Sequence, residues 1–309
     1  MTATEAQVAR LINDDMLLCE LEFLTGSRCA GRGTGSPGAN VAALWISSGL
    51  KNAGAKPVNG SYIKSFTAKN GRKGHNVVGM IPSYGIGKTD NYIIVTAHYD
   101  NIGTIDGKMY PGADSNASGV ATLLSLARMF GWMSKGNRTL KSNILFVAFD
   151  AKEVNMSGSE HLWKMIEAGL LRNPGTGMRI SKEKIKLVVN IDQIGSSLSP
   201  INESKKEYLT MLGVGSLPEN LQKAALTVNN FNDTKLDLSF TYYGSKKFTE
   251  LFYRASDQRI FVDNGIPAVL FTSGITMNTN KTRDTVENLD IEVLLKRIHY
   301  IYHWLYRTL

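Results

Sequence analysis

The spacing of apolar positions changes along the chain. Over the first 25 residues Val8, Leu11, Ile12 and Leu17 recur at roughly helical spacing, which predicts a helix. A glycine-rich stretch (GSRCAGRGTGSPGAN) follows, then a second amphipathic helix from about Ala39 to Asn52, stopped by Gly54. Beyond it, short β-branched apolar runs (HNVVGMI, YIIVTAH, NILFVAFD, KLVVNID, PAVLFTS) alternate with helix-periodic segments (SGVATLLSLARMF, SGSEHLWKMIEAG, KFTELFYRAS). Continuous apolar runs of this kind suit strands buried on both faces of a sheet covered by helices. The segment IEVLLKRIHYIYHWLYRTL places Ile291, Leu294, Leu295, Ile298, Tyr302 and Leu305 on one helical stripe. There is no linker, composition break or internal repeat. The pattern predicts a single α/β domain over residues 1–309, with a mixed, mostly parallel central sheet flanked by helices and a helical lead-in at about 1–60.

Composition narrows the class. With 309 residues, 43% hydrophobic and 20% charged, the chain suits a globular protein and excludes disorder or collagen-like repeats. No run approaches the ~18 apolar residues that span a membrane. The net charge of +8 raises the question of nucleic acid. The basic residues are scattered, however, and clusters such as Lys69 to Lys73 and Ser204 to Lys206 lack interleaved aromatics, so a solvated basic surface is expected instead. Two cysteines, Cys19 and Cys29, lack zinc-motif spacing; they either bridge a short loop or divide into one buried and one loop thiol. The segment MTATEAQVARLINDD has no apolar core of a signal peptide, which fits a cytosolic chain or one whose leader has been removed.

The candidate chemistry lies at strand ends, where open α/β sheets bind ligands. YIIVTAH ends in His98-Tyr99-Asp100, NILFVAFD runs into Asp150-Ala151-Lys152-Glu153, and KLVVNID ends at Asp192. PAVLFTSG leads into a polar loop with Asn278, Asn280 and Asp284, and Gly112-Ala113-Asp114-Ser115-Asn116 leads into the SGVATLL helix. A His and several carboxylates brought to one rim are the parts of a hydrolytic metal site.

The strings TAHYD, PGADSNASGVA, FVAFDAKE, GSEH, NIDQIG, ASDQ, GIPAVLFTSG and TRDT, in this order, resemble the co-catalytic zinc aminopeptidases, with bacterial leucyl aminopeptidases as members and glutaminyl cyclases as relatives. The resemblance covers about residues 74 to 309. It implies a zinc-exopeptidase-like fold and two zinc ions about 3.5–4 Å apart that activate one water. It makes His98 and Asp192 ligands of the first zinc and Glu153 a ligand of the second, with Asp100 orienting the neighbourhood from the outer shell. The carboxylate that bridges both ions should stand at Ser115, the general base at Lys152, and a His ligand at Asn280, four residues before Asp284. Asp114, beside Ser115, is the candidate substitute bridge after a one-residue loop shift. The resemblance also places Asp257 near the site, with Gln258 where many relatives carry His, and it favours an extracytoplasmic location.

Three of these six key positions depart from the chemistry. With Glu153, Asp192 and Lys152 the site carries −1 before any metal, and an ammonium about 4 Å from a dication is opposed by on the order of 8 kcal/mol at an effective dielectric near 20. Zinc is therefore expected to bind weakly or not at all, with the Lys152 ammonium taking part of the cation space. The expected function is a catalytically impaired aminopeptidase-like protein that binds a peptide or small amine in the old cleft. Two alternatives stand beside it. One is an active zinc-dependent exopeptidase with an altered or single-metal site built on His98, Asp192 and Asp114. The other is a Ser115–Lys152 nucleophile pair. His299 and His303, four apart on the last helix, lack a third ligand and are expected to pack, as are its tyrosines and Trp304. His75 and His161 have no ligand neighbours in sequence. Tyr242 and Tyr243 are candidates to line a cleft mouth.

Overall fold

The computed structural model describes residues 7–136, 138–231 and 234–309. The lead-in helix is interrupted rather than continuous: residues 7–9 are helical, the chain turns, and α1 (Asp14–Thr25) starts afresh. Residues 1–6 of the expected helix lie outside the described residues. The restart has a local cause. Asn13 accepts a hydrogen bond from Met16 N (2.9 Å), and Asp14 and Asp15 occupy the first turn. A capping oxygen and early carboxylates both favour a helix N-terminus, and here they override the apolar spacing. Val8, Ile12 and Leu17 are nonetheless all buried. Next, α2 (Pro37–Asn52) begins two residues before the expected start, because Ser36 caps Ala39 N (3.1 Å) and Pro37 suits the first helical position. Cys19 is an exposed thiol on α1 and Cys29 a buried one; both are free.

The remaining elements follow in the order β1 (Lys56–Pro57), β2 (Ile63–Thr67), β3 (Lys73–Ile81), β4 (Tyr92–His98), the hairpin β5 (Gly103–Ile105) and β6 (Lys108–Tyr110), α3 (Ser118–Lys135), β7 (Asn143–Phe149), α4 (Ser157–Glu167), β8 (Ile185–Ile191), β9 (Tyr208–Leu212), α5 (Glu219–Phe231), β10 (Asp237–Ser239), α6 (Lys246–Arg254), α7 (Arg259–Asp263), β11 (Ala268–Thr272) and α8 (Ile291–Thr308). Apart from the β5–β6 hairpin, these strands form one sheet in the order β1-β3-β7-β4-β8-β11-β9-β10, with β2 also on β3. The four central strands β7, β4, β8 and β11 are parallel, while β3 and β9 flank them antiparallel. This is the expected mixed sheet.

Every residue of β4, β7 and β11 is buried. Alternate side chains feed two cores: Ile93, Val95 and Ala97 of β4 face one with Leu123, Leu124 and Ile298, and Tyr92 and Ile94 face the other with Leu162, Trp163 and Phe261. Helices on both faces explain why these strands read as unbroken apolar runs. Among the described residues no helix is long and apolar enough to cross a membrane. The parallel core matters for function because it aims four strand C-termini at one edge.

Candidate functional site

Register brings the site together. His98 ends β4 opposite Phe149 of β7, and Thr96 pairs with Asn190 of β8, so two residues further on His98 stands level with Asp192. The fully buried His98 ring touches Asp192 Oδ1 through Nε2 (3.2 Å) and the Asp100 carbonyl through Nδ1 (3.0 Å). Lys152 Nζ lies 3.1 Å from Glu153 Oε1 and 3.9 Å from Asp192 Oδ2. Thus His98, Lys152, Glu153 and Asp192 converge on one rim, with the Asp192 carboxylate between two cationic partners.

Neighbouring loops hold this arrangement. Asp100 accepts from Lys152 N on one oxygen and Glu153 N on the other, both at 3.0 Å, so it orients the two residues through their backbone. Asn116 joins three elements: its Nδ2 donates to Ile191 O (2.8 Å) and His98 O (3.3 Å), while its Oδ1 accepts from Gln193 N (2.9 Å) and Gly119 N (3.1 Å). A Cβ at Gly119 would fall 2.4 Å from Asn116 Oδ1, so glycine is required there. Arg32, fully buried, donates to the carbonyls of Tyr99 (2.6 Å), Leu24 (2.5 Å), Pro111 (2.7 Å) and Gly112 (2.8 Å) and ties the Gly-rich lead-in to the site loops.

The other candidate residues are placed as follows. Ser115 is buried and its Oγ has no hydrogen-bond partner, while its backbone N donates to Asp284 Oδ2 (3.1 Å). The Ser115–Lys152 pair is therefore not joined. Burial and then the charges of Asp192 and Glu153 act on Lys152 in opposite senses, and the charges prevail, raising its pKa and keeping it a cation that cannot take a proton from a serine. Asp114, the candidate substitute bridge, accepts at Oδ1 from the backbone N–H groups of Gly195 (2.7 Å) and Ser196 (3.2 Å), which anchors the segment after β8, while its buried Oδ2 has no hydrogen-bond partner. Asn280 is an exposed residue in a left-handed turn (φ 59°). Among the described residues no group of three or more His, Cys, Asp or Glu is placed to hold a metal ion.

Sequence reasoning did not find Ser256, whose Oγ donates to Asp192 Oδ2 (2.6 Å) and accepts from Asn190 Nδ2 (2.8 Å). A serine before ASDQ's aspartate carries no signal of its own in a single sequence. Gln258, in the position where many relatives carry His, accepts from the same Asn190 amide (2.9 Å) and is fully buried. Tyr242 lines a cavity with Lys152 and Asp192; its ring lies tilted against Phe252 with centroids 4.0 Å apart, and its hydroxyl accepts from Ile275 N (3.0 Å). His303 and Trp304 are buried in α8. His75 bonds Ser65 Oγ (2.9 Å), and His161 stacks on Phe66 (5.0 Å), so both have structural partners away from the site.

The buried charges give the stability an unusual pH dependence. Burial, with the charge of Asp284 added, lifts Asp114 to about 7. Burial, with the charge of Asp100 added, lifts Asp150 to about 6, and burial lifts Asp257 to about 6 against the pull of His98. Burial and Lys152 oppose a charge on His98, but the charge of Asp192 and the hydrogen bonds that the ring donates to Asp100 and Asp192 outweigh them and raise it to about 10. Asp192 moves the other way, held low by Lys152 and His98 despite its burial. The three raised carboxyls make the folded chain hold more protons than the unfolded one above about pH 4, so their effect lowers stability as pH climbs through about 7. The stabilisation from His98 is complete below its unfolded pKa near 6.5 and lost as pH rises through about 10; that from Asp192 is complete above about 3.9 and lost on acidification. Urea unfolding is therefore expected to show maximal stability near about pH 4–5 and a decline of several kcal/mol towards about pH 9. A midpoint that holds steady or rises between those values would contradict these assignments.

A mixed α/β sheet between helix layers, with these polar residues at the carboxyl ends of its parallel strands, defines a zinc-exopeptidase-like protein. Comparison with known sequences makes this specific: the chain belongs to peptidase family M28, whose profile matches residues 76–305. Its fold is similar to that of BSAP, a zinc aminopeptidase from Bacillus subtilis (TM-score 0.72, 13% identity, 96% of this chain and 95% of that one). It is also similar to Macrostomum lignano glutaminyl cyclase (TM-score 0.73, 15% identity, 99% and 92%). Among curated sequences it is similar to the BOS complex subunit ncln of Danio rerio, 34% identical over 106 residues, which are 34% of this chain and 17% of that protein. The chain spans less than half the length of the curated relatives it matches.

Proposed function

We propose that this member of the M28 family is a catalytically impaired aminopeptidase-like protein that binds zinc weakly or not at all and holds a peptide or small amine in its cleft. One observation carries the reading: Lys152 Nζ stands 3.1 Å from Glu153 and 3.9 Å from Asp192, within the donor set that the resemblance assigns to zinc. The remaining donors do not fit a zinc pair. Ser115 offers a hydroxyl in place of a carboxylate, Asn280 an amide in place of an imidazole, and His98 bonds Asp192 directly. A catalytic zinc takes three protein ligands, and neither position retains three here. The extracytoplasmic location belongs to the same proposal.

The alternative is an active exopeptidase with a single metal. It draws on His98 and Asp192 being retained on one rim, with Asp114 as the third candidate ligand, and it needs Lys152 to swing aside. Metal analysis of the purified chain, with release of an aminoacyl chromophore measured at added zinc, separates the two. The expected result is well under one zinc per chain and no chelator-sensitive release. Stoichiometric zinc with rapid release that a chelator abolishes would overturn the proposal.

A further inference from the structure

The cleft beside Lys152 has two compartments. One is a recess of about 130 Å³ whose lining includes Tyr242, Phe252, Leu270 and Ile275 together with Lys152 and Asp192. The other is a wider, open groove of about 670 Å³ whose lining includes Lys152, Glu153, Leu251, Arg254 and Arg259. Lys152 and Ala255 line both, so the two compartments are adjacent.

The two compartments differ in chemistry. The recess walls are mostly aromatic and aliphatic, with Gln193, Ser256 and Thr272 also on the lining, and suit one medium-sized apolar side chain. In the groove Lys152 is already paired with Glu153, and the other charged groups on its lining are two guanidiniums, whose carboxylate partners Asp263 and Glu250 are not among the lining residues. Arg254, at the end of α6, and Arg259, at the start of α7, share a single carboxylate: Arg254 Nη2 is 3.1 Å from Asp263 Oδ1, and Arg259 Nε is 3.4 Å from Asp263 Oδ2. Arg254 has one further neighbour of opposite charge, Glu250, at 3.6 Å. The two side chains are 44% and 48% exposed, and a guanidinium carries five N–H donors, so both retain donors towards the groove. Paired guanidiniums recognise a carboxylate with directional, charge-assisted hydrogen bonds.

We propose that the ligand is a short peptide with an apolar residue in the recess followed by a carboxylate lying across Arg254 and Arg259. That carboxylate belongs either to an acidic second residue or to the free terminus of a dipeptide. The inference rests on the cleft being a binding site, as proposed above, and adds the class of ligand it selects.

Isothermal titration of the full chain tests it with four probes: leucine amide, leucyl-glycine amide, leucyl-glutamate amide and leucyl-glycine. At least one of the two carboxylate-bearing probes is expected to bind about tenfold or more tightly than leucyl-glycine amide, the scale of one charge-assisted contact. Which of them gains identifies the carboxylate as a side chain or a terminus. In the double variant Arg254→Gln, Arg259→Gln the preference should fall to within about twofold, with leucine amide unaffected. Equal binding of all four probes, or a preference that survives the double variant, overturns this inference and leaves the binding cleft standing. Binding of none of them overturns both.

Discussion

The chain carrying Ser115→Asp, Lys152→Glu and Asn280→His together is expected to bind zinc stoichiometrically and to gain chelator-sensitive aminopeptidase activity. Each replacement addresses a separate defect. Ser115 is buried with an unpartnered Oγ, and its backbone is already fixed by Asp284, so an aspartate introduced there has a rigid mount. Lys152 and Glu153 have their backbone N–H groups clamped by Asp100, so a glutamate at 152 inherits that placement while the opposing ammonium is removed. Asn280 has φ 59°, a left-handed conformation in which histidine, like asparagine, is enriched. The substituted chain without metal should be less stable than its parent, because it adds carboxylates beside Glu153 and Asp192 and removes the Lys152 ammonium, leaving His98 as the cation beside Asp192. Zinc should reverse this, by about 4 kcal/mol at a free concentration a thousandfold above its Kd. Thermal unfolding with and without zinc, alongside metal analysis, reads both effects. A folded triple variant whose melting point ignores zinc would show that these three positions are not what separates this site from a metal centre.

The legible part of the fold was the part with the simplest physics. YIIVTAH and NILFVAFD read as doubly buried strands because β4 and β7 are covered by helices on both faces, and all their residues are buried. The sheet margins were harder to read. β1 and β10 have only two and three residues, and β9 is not among the apolar runs that read as strands, although all five of its residues are buried. The last helix was legible in period but not in extent. Leu294, Ile298, Tyr302 and Leu305 of the expected stripe are buried, but so are Arg297, Tyr300, Ile301 and Trp304, because its C-terminal half is covered on most sides.

The buried arginines show what a pattern of apolar spacing leaves out. Arg297 donates to Tyr208 O (2.7 Å), Ile194 O (2.7 Å) and Ser196 O (2.8 Å), and Arg32 satisfies four carbonyls at the opposite side of the site loops. A sequence gives no sign that a guanidinium will replace solvent for carbonyls tens of residues away, since arginine is ordinarily a surface residue. The site divides in the same way. His98, Glu153 and Asp192 were legible because strand ends and local strings mark them. Ser256 and the real partner of Asp114 were not, because each depends on a contact between segments more than 60 residues apart.

Removing the ammonium alone should show how much the site depends on it. Lys152→Met preserves most of the side-chain volume but leaves Glu153 and Asp192 facing each other, with His98 the remaining cation beside Asp192. The Lys152 side chain is 17% exposed, between a surface pair and a buried one. Exposed pairs contribute under about 1 kcal/mol and breaking a fully buried pair costs about 3–5, which places this loss near about 2–3 kcal/mol. In urea the unfolding midpoint should fall with an unchanged slope, as for a loss of stability without a change in the surface exposed. Two further measurements tie the effect to charge. Adding Glu153→Gln to Lys152→Met should recover about 1 kcal/mol relative to additivity, because the two groups are in direct contact. The loss should also shrink as the pH falls below about 4, where Asp192 is protonated in the unfolded chain while Lys152 and His98 hold it ionised in the folded parent, so that the stabilisation Lys152 gives through it is lost. A Lys152→Met chain as stable as its parent at neutral pH would mean that the ammonium does not neutralise these carboxylates, and the proposed occupation of the cation space by Lys152 would fall with it.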